Sequence, residues 1–114
     1  MEFYDGTNAR MRRGDSDSIE VTGLSLVHGD KVYFTVKDSI YSAEKKLQKI
    51  VTEFTGEGNA VIPIIPTDTK SLNVRDYVYD IQVNFANSEV LTVIPPEPSL
   101  PPSKFTLTGE VTYE

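Results

Sequence analysis

The chain has no cysteine, no tryptophan and a single histidine, His28. Without thiols it can form no disulfide, run no thiolate chemistry and build no cysteine-based zinc site, which fits synthesis in a reducing compartment. One imidazole, lying in the Val27-His28-Gly29-Asp30 segment with no signalled partner, reads as a turn residue and not as a relay or a metal ligand. Alanine, the strongest helix former, occurs only at Ala9, Ala43, Ala60 and Ala86, so long helices are not expected. Basic charge is also short: 11 Lys and Arg stand against 17 Asp and Glu, a formal net charge of −6. A sequence-independent grip on nucleic acid needs a basic surface, and so does docking on an anionic membrane. Neither partner is expected. The longest apolar run, residues 61–65, is broken by Pro63 and is far too short to span a bilayer. The segment after Met1 is acidic and polar, unlike a secretory leader. The reading is a soluble protein made in the cytoplasm.

What is present is β-branched and alternating. A length of 114 residues fits one domain. The clearest signal is residues 77–85, where Tyr77, Tyr79, Ile81, Val83 and Phe85 alternate with Val78, Asp80, Gln82 and Asn84. Period two marks a strand with one buried face and one wet face. Residues 18–22, 31–37, 60–64 and 89–94 read the same way, and 104–113 closes the chain with Phe105, Leu107, Val111 and Tyr113 on one face. Pro63 lacks a donor, which places its strand at an edge or a bulge. Residues 44–54 carry two patterns. Leu47, Ile50, Val51 and Phe54 fit a helix at i, i+3, i+4 and i+7, yet β-branched content and strand neighbours favour β, which is the reading adopted. Residues 66–72 read as one helical turn capped by Thr67, with Asp68 near its positive end. Five of the seven prolines fall within residues 95–102, a stiff, donor-poor loop. The expected architecture is all-β: an antiparallel sandwich of about seven strands with one short helical turn. Residues 1–14 form an irregular lead-in, and 15–114 the single sandwich domain.

No residue set proposes a reaction, so the chain is expected to be a non-enzyme without catalytic, cofactor or metal residues. Arg13-Gly14-Asp15 matches a short adhesion motif, but Gly-Asp before a strand is more simply a turn. Asp15, Asp17 and Glu20 gather hard oxygen donors without the fixed glycine and distal glutamate of a calcium loop. Asp76 and Asp80 share a strand face, roughly 13 Å apart by strand rise and too far for a glycosidase pair. Hydrogen bonds to a neighbouring strand or loop are their simpler role. The proline loop could dock an aromatic groove, though a rigid connection is the plainer reading. Phe3, Tyr4, Tyr33, Tyr41 and Tyr77 suit either interfaces or core packing.

The order of segments carries a resemblance. Arg13-Gly14-Asp15 leads a strand, followed by Val32-Tyr33-Phe34-Thr35-Val36-Lys37 and Gln48-Lys49. Then come Pro66-Thr67-Asp68-Thr69 with Leu72, Tyr77-Val78-Tyr79-Asp80-Ile81-Gln82, and Lys104-Phe105-Thr106-Leu107. Over most of residues 10–113 this resembles small immunoglobulin-like domains of phages and prophages of Gram-positive hosts, similar to the N-terminal domain of the baseplate upper protein. Arg75-Asp76 stands where that family often has a glycine before the tyrosine, and the proline loop is longer. The resemblance implies an immunoglobulin-like sandwich acting as a structural or assembly module of a virion, in tail, baseplate or head-attached appendage. Its partners would be other virion proteins, with self-association as a further form of contact, and its location the virion. Two alternatives stand beside it: a carbohydrate-binding sandwich using Tyr33 and Tyr41, and an acidic protein that inhibits a host component.

Overall fold

Period-two patterning governs the chain in the computed structural model, which describes residues 1–111. In chain order the strands are β1 (Glu2–Tyr4), β2 (Asn8–Arg12), β3 (Asp17–Val21), β4 (Lys31–Lys37), β5 (Leu47–Val51) and β6 (Ala60–Ile64). After the short helix α1 (Pro66–Lys70) come β7 (Asp76–Asn84), β8 (Val90–Ile94) and β9 (Ser103–Thr108). Seven strands build one sheet in the order β1-β2-β9-β7-β4-β5, with β8 also paired to β7, while β3 and β6 form a second sheet. The fold is mostly β, as the alternation predicts.

Two expectations need correction. The lead-in is not irregular: β1 and β2 extend the large sheet, and Ala9 and Met11 are buried in the core. Nor is pairing wholly antiparallel, because β2 runs parallel to β9 with Ala9 opposite Phe105 and Met11 opposite Leu107. A parallel pair needs a long crossover. Here nearly the whole domain supplies it, which is why no local pattern announces the pairing.

The core follows from the alternation. Tyr77, Tyr79, Ile81 and Val83 of β7 are buried, as are Val32, Phe34 and Val36 of β4 and Phe105 and Leu107 of β9. From the second sheet, Ile19, Val21, Ala60, Ile62 and Ile64 join the same cluster. One hydrophobic cluster thus draws on both sheets. At its centre the Phe34 ring lies 5.6 Å from Tyr79 and 5.7 Å from Phe105, tilted and edge-on. Those are favourable aromatic geometries.

The Tyr79 hydroxyl donates to the Thr7 carbonyl, tying the β1–β2 connection to the core strand. Burial pushes the phenol pKa well up, so the hydroxyl keeps its proton and stays a donor. Tyr79→Phe is expected to cost about 1–3 kcal/mol, because it removes the carbonyl's partner without changing shape. Urea unfolding of the two proteins measures it; equal midpoints would show that Thr7 finds another donor.

Residues 44–54 contain β5, with Leu47 buried and Ile50 exposed. Pairing with β4 over Val36↔Leu47 to Val32↔Val51 overrides the helical spacing. Pro63 lies exposed on β6, whose only pairing partner among the described residues is β3. Turn geometry also sets the second sheet's approach. Gly58, at φ +77, lets its carbonyl accept from the Leu26 N–H at 3.0 Å, and an added Cβ would come within 2.8 Å of that nitrogen. The α1 turn starts at Pro66, but Thr67 does not cap it; the Asp68 carboxylate accepts from the Ile65 N–H at 2.9 Å and from Lys49 Nζ at 2.8 Å. β9 ends at Thr108, five residues before the expected end, and Val111 is exposed. Tyr113 lies outside the described residues.

Candidate functional site

The outer face of the large sheet is set by register. Thr35 of β4 stands between Gln48 of β5 and Asp80 of β7, and Tyr33 stands between Ile50 and Gln82. Lys37 and Lys104 flank Val78. Because side chains alternate, these residues share the face opposite the core. Gln48 Nε2 donates to Thr35 Oγ1 at 3.1 Å, which orients one amide.

β7 changes neighbour at Asp80. Up to Tyr79 its second edge pairs with β9, and from Ile81 onward it pairs with β8. Asp80 sits at the gap. There the proline loop leaves after Ile94 and returns at Ser103. Prolines supply no N–H to continue a ladder, so the chain leaves the sheet and covers part of its face. Pro95, Leu100 and Pro102 wall a groove of about 260 Å³ whose other sides include Ile40, Val78 and Asp80. A second depression of about 390 Å³, lined by Tyr33, Lys45, Gln48, Gln82 and Asn84, shares Thr35, Lys37 and Asp80 with the first. The two make one trough, apolar beneath the proline loop and polar toward Tyr33.

Asp80 is the unusual group in it. Desolvation raises its pKa, the Lys37 charge opposes that only in part, and no hydrogen bond to its carboxylate contributes. Among the described residues the hydrogen bond expected of Asp80 is not formed, whereas Asp76 does accept one, from Thr106 Oγ1 at 2.7 Å. Asp30 is the opposite case. It is buried, and its carboxylate accepts from the Val27 and Ala86 N–H groups, both at 2.9 Å, which holds its pKa below the ordinary 3.8. The signs give a test. The Asp30 contribution is present above its unfolded value of 3.8 and lost as pH falls below it. Asp80 works in reverse: its folded pKa lies above 3.8, so stability falls as pH rises through that interval and the carboxylate ionises. Melting temperature against pH should show Asp30→Asn flattening the acid limb and Asp80→Asn raising stability at neutral pH. An Asp80→Asn protein melting lower at pH 7 would contradict the assignment.

The remaining candidates take structural roles. In Arg13-Gly14-Asp15 the Gly14 N–H donates to Thr69 Oγ1 at 2.8 Å, and Gly14 has φ +84. The Arg13 guanidinium donates to the Leu72 carbonyl and the Glu110 carboxylate, each at 3.2 Å, so the motif fastens α1 to β2. Asp17 accepts from the Ser18 N–H and pairs with the Met1 amino group. Among the described residues, no group of three or more His, Cys, Asp or Glu is placed to hold a metal ion. His28 lies exposed in the turn closed by the Asp30 N–H to the Val27 carbonyl. Tyr77 is buried with its hydroxyl on the Asn73 carbonyl; Tyr4 lies under the Arg10 guanidinium at 4.0 Å; Tyr41 is exposed away from any ring partner. No helix among the described residues is long and apolar enough to cross a membrane.

Sequence reasoning named Asp80 and Tyr33 and set Gln82 and Lys37 on their strand faces, but missed Gln48 and Leu100 as neighbours. The alternation on β4 and β7 put the first two on one face; the wall built by the proline loop left no local signal. No protein-family model, curated protein or solved structure matches this chain.

Proposed function

We propose that the chain is a non-enzymatic assembly module of a phage virion, an immunoglobulin-like sandwich that contacts neighbouring virion proteins through a sheet edge. The observation that carries this reading is β8. Among the described residues it pairs only with β7, so its far edge has no strand partner there. Its sequence, Val-Leu-Thr-Val-Ile, has no charge and no proline, and Val90 and Leu91 are 59% and 44% exposed. Edge strands are normally blunted by lysine, proline or a covering element. An apolar edge without lysine or proline, interrupted only by a register shift at Val93, suits addition of an extended segment from another protein along Val90–Thr92, with the backbone supplying affinity and alternate side chains supplying choice. The segment order described above supports the phage setting.

Mass spectrometry of purified particles tests the reading, together with a Val90→Lys, Leu91→Lys double variant. Both positions are exposed, so folding should persist while incorporation into particles drops about tenfold or more. Absence of the native protein from particles, or undiminished incorporation of the folded variant, would overturn it.

A further inference from the structure

We propose that the trough across the outer face of the large sheet is a binding site for a neutral, hydroxyl-rich ligand, an oligosaccharide, with Asp80 and Lys37 as its central polar pair. This goes beyond the assembly reading: it uses the sheet's outer face, bordered by Thr92 of β8, and not the backbone edge at Val90 and Leu91, so either can fail alone.

The floor alternates acceptors and donors along adjacent strands. Asp80 offers two carboxylate oxygens that no donor among the described residues occupies, while Lys37 offers ammonium protons beside it. The Gln48 and Gln82 amides each carry a donor and an acceptor. Sugar hydroxyls both donate and accept, and such a floor satisfies them in either sense.

Charge of both signs lines the trough, Lys37 and Lys45 against Asp80, so a ligand of one sign meets a like charge along it. A free anion would face the Asp80 carboxylate, and a free cation would face Lys37 and Lys45. An uncharged ligand meets neither repulsion. Tyr33 and Ile50, side by side across β4 and β5, add a half-wet aromatic and aliphatic strip for the apolar face of a pyranose. Under the proline loop, Ile40, Val78 and Leu100 add more apolar wall. The larger depression, about 390 Å³, falls within the scale of small-ligand sites, on the order of 300–1,000 Å³, and the smaller, about 260 Å³, extends it.

An unpaired, partly desolvated carboxylate works against stability, and such violations gather where function requires them. Asn84, at the polar end, repeats the pattern: its Oδ1 is enclosed without a hydrogen-bond partner.

The test is titration of the isotope-labelled protein with maltohexaose, cellohexaose and chitohexaose, each to about 10 mM, a range that detects millimolar binding. The expected result is saturable shift changes at Tyr33, Thr35, Lys37, Asp80 and Gln82 with at least one of them. Asp80→Ala and Tyr33→Ala should each weaken that binding about tenfold or more, as loss of a charged hydrogen bond or a stacking ring does. Asp80→Ala should do so without melting below the parent, which separates lost contact from lost folding. No saturable change with any of the three, changes mapping outside the trough, or undiminished binding by Asp80→Ala would overturn the proposal.

Discussion

Ile81→Lys is expected to remove several kcal/mol of stability or to prevent folding altogether. Ile81 is fully buried near the middle of β7, with Phe34 of β4 on one side and Ile94 of β8 on the other. The ammonium would enter a cluster of hydrophobic side chains. An unpaired buried charge costs several kcal/mol, roughly 3–5 in comparable cases. Domains of this size hold only about 5–15 kcal/mol in total. Gln82→Lys is the matched control: one residue on, it points to the outer face and should change stability by no more than about 0.5 kcal/mol. Circular dichroism melts decide the matter. A parent-like transition for Ile81→Lys would mean that the faces of β7 are reversed.

Phe34→Ala should come next in effect, at about 3–5 kcal/mol. Its ring is fully buried and touches both Tyr79 and Phe105 edge-on or tilted, so truncation removes two aromatic contacts along with the transfer energy. Position aggravates the loss. β4 is held on both sides, by β5 and β7, and cannot shift inward without breaking its ladders. In urea the midpoint should fall while the slope stays constant, since the surface exposed on unfolding hardly changes. A loss under about 1 kcal/mol would show that Tyr79 and Phe105 close the gap.

How much of this was legible depends on how local each cause is. β4 and β7 announce themselves because every second residue is large and apolar, and burial follows that alternation residue by residue. β5 was settled by its neighbours, since Leu47, Ile50 and Val51 also satisfy a helical spacing. β2 does alternate, Asn8, Arg10 and Arg12 against Ala9 and Met11, but five residues with a small alanine at the key position give a faint pattern. Its partner, β9, lies at the far end of the sequence. The trough was half visible. Period two puts Tyr33, Thr35, Lys37, Asp80 and Gln82 on the solvent side, where they read as an ordinary wet face. Only the path of the proline loop turns that face into a walled site, and the path depends on β8 and β9 sharing one edge of β7. That is a tertiary fact with no spacing rule behind it.

The parallel union of β2 with β9 sets an order of events during folding. Residues 8–12 cannot find their place until residues 103–108 have been synthesised and positioned, because Ala9 meets Phe105 across almost the full sequence. The hairpin-like ladders of β4, β5, β7 and β8 close shorter loops and can form first. Docking of β2 on β9 then completes the large sheet, and that long reach across the chain predicts a slow refolder for its size, in milliseconds to seconds rather than microseconds.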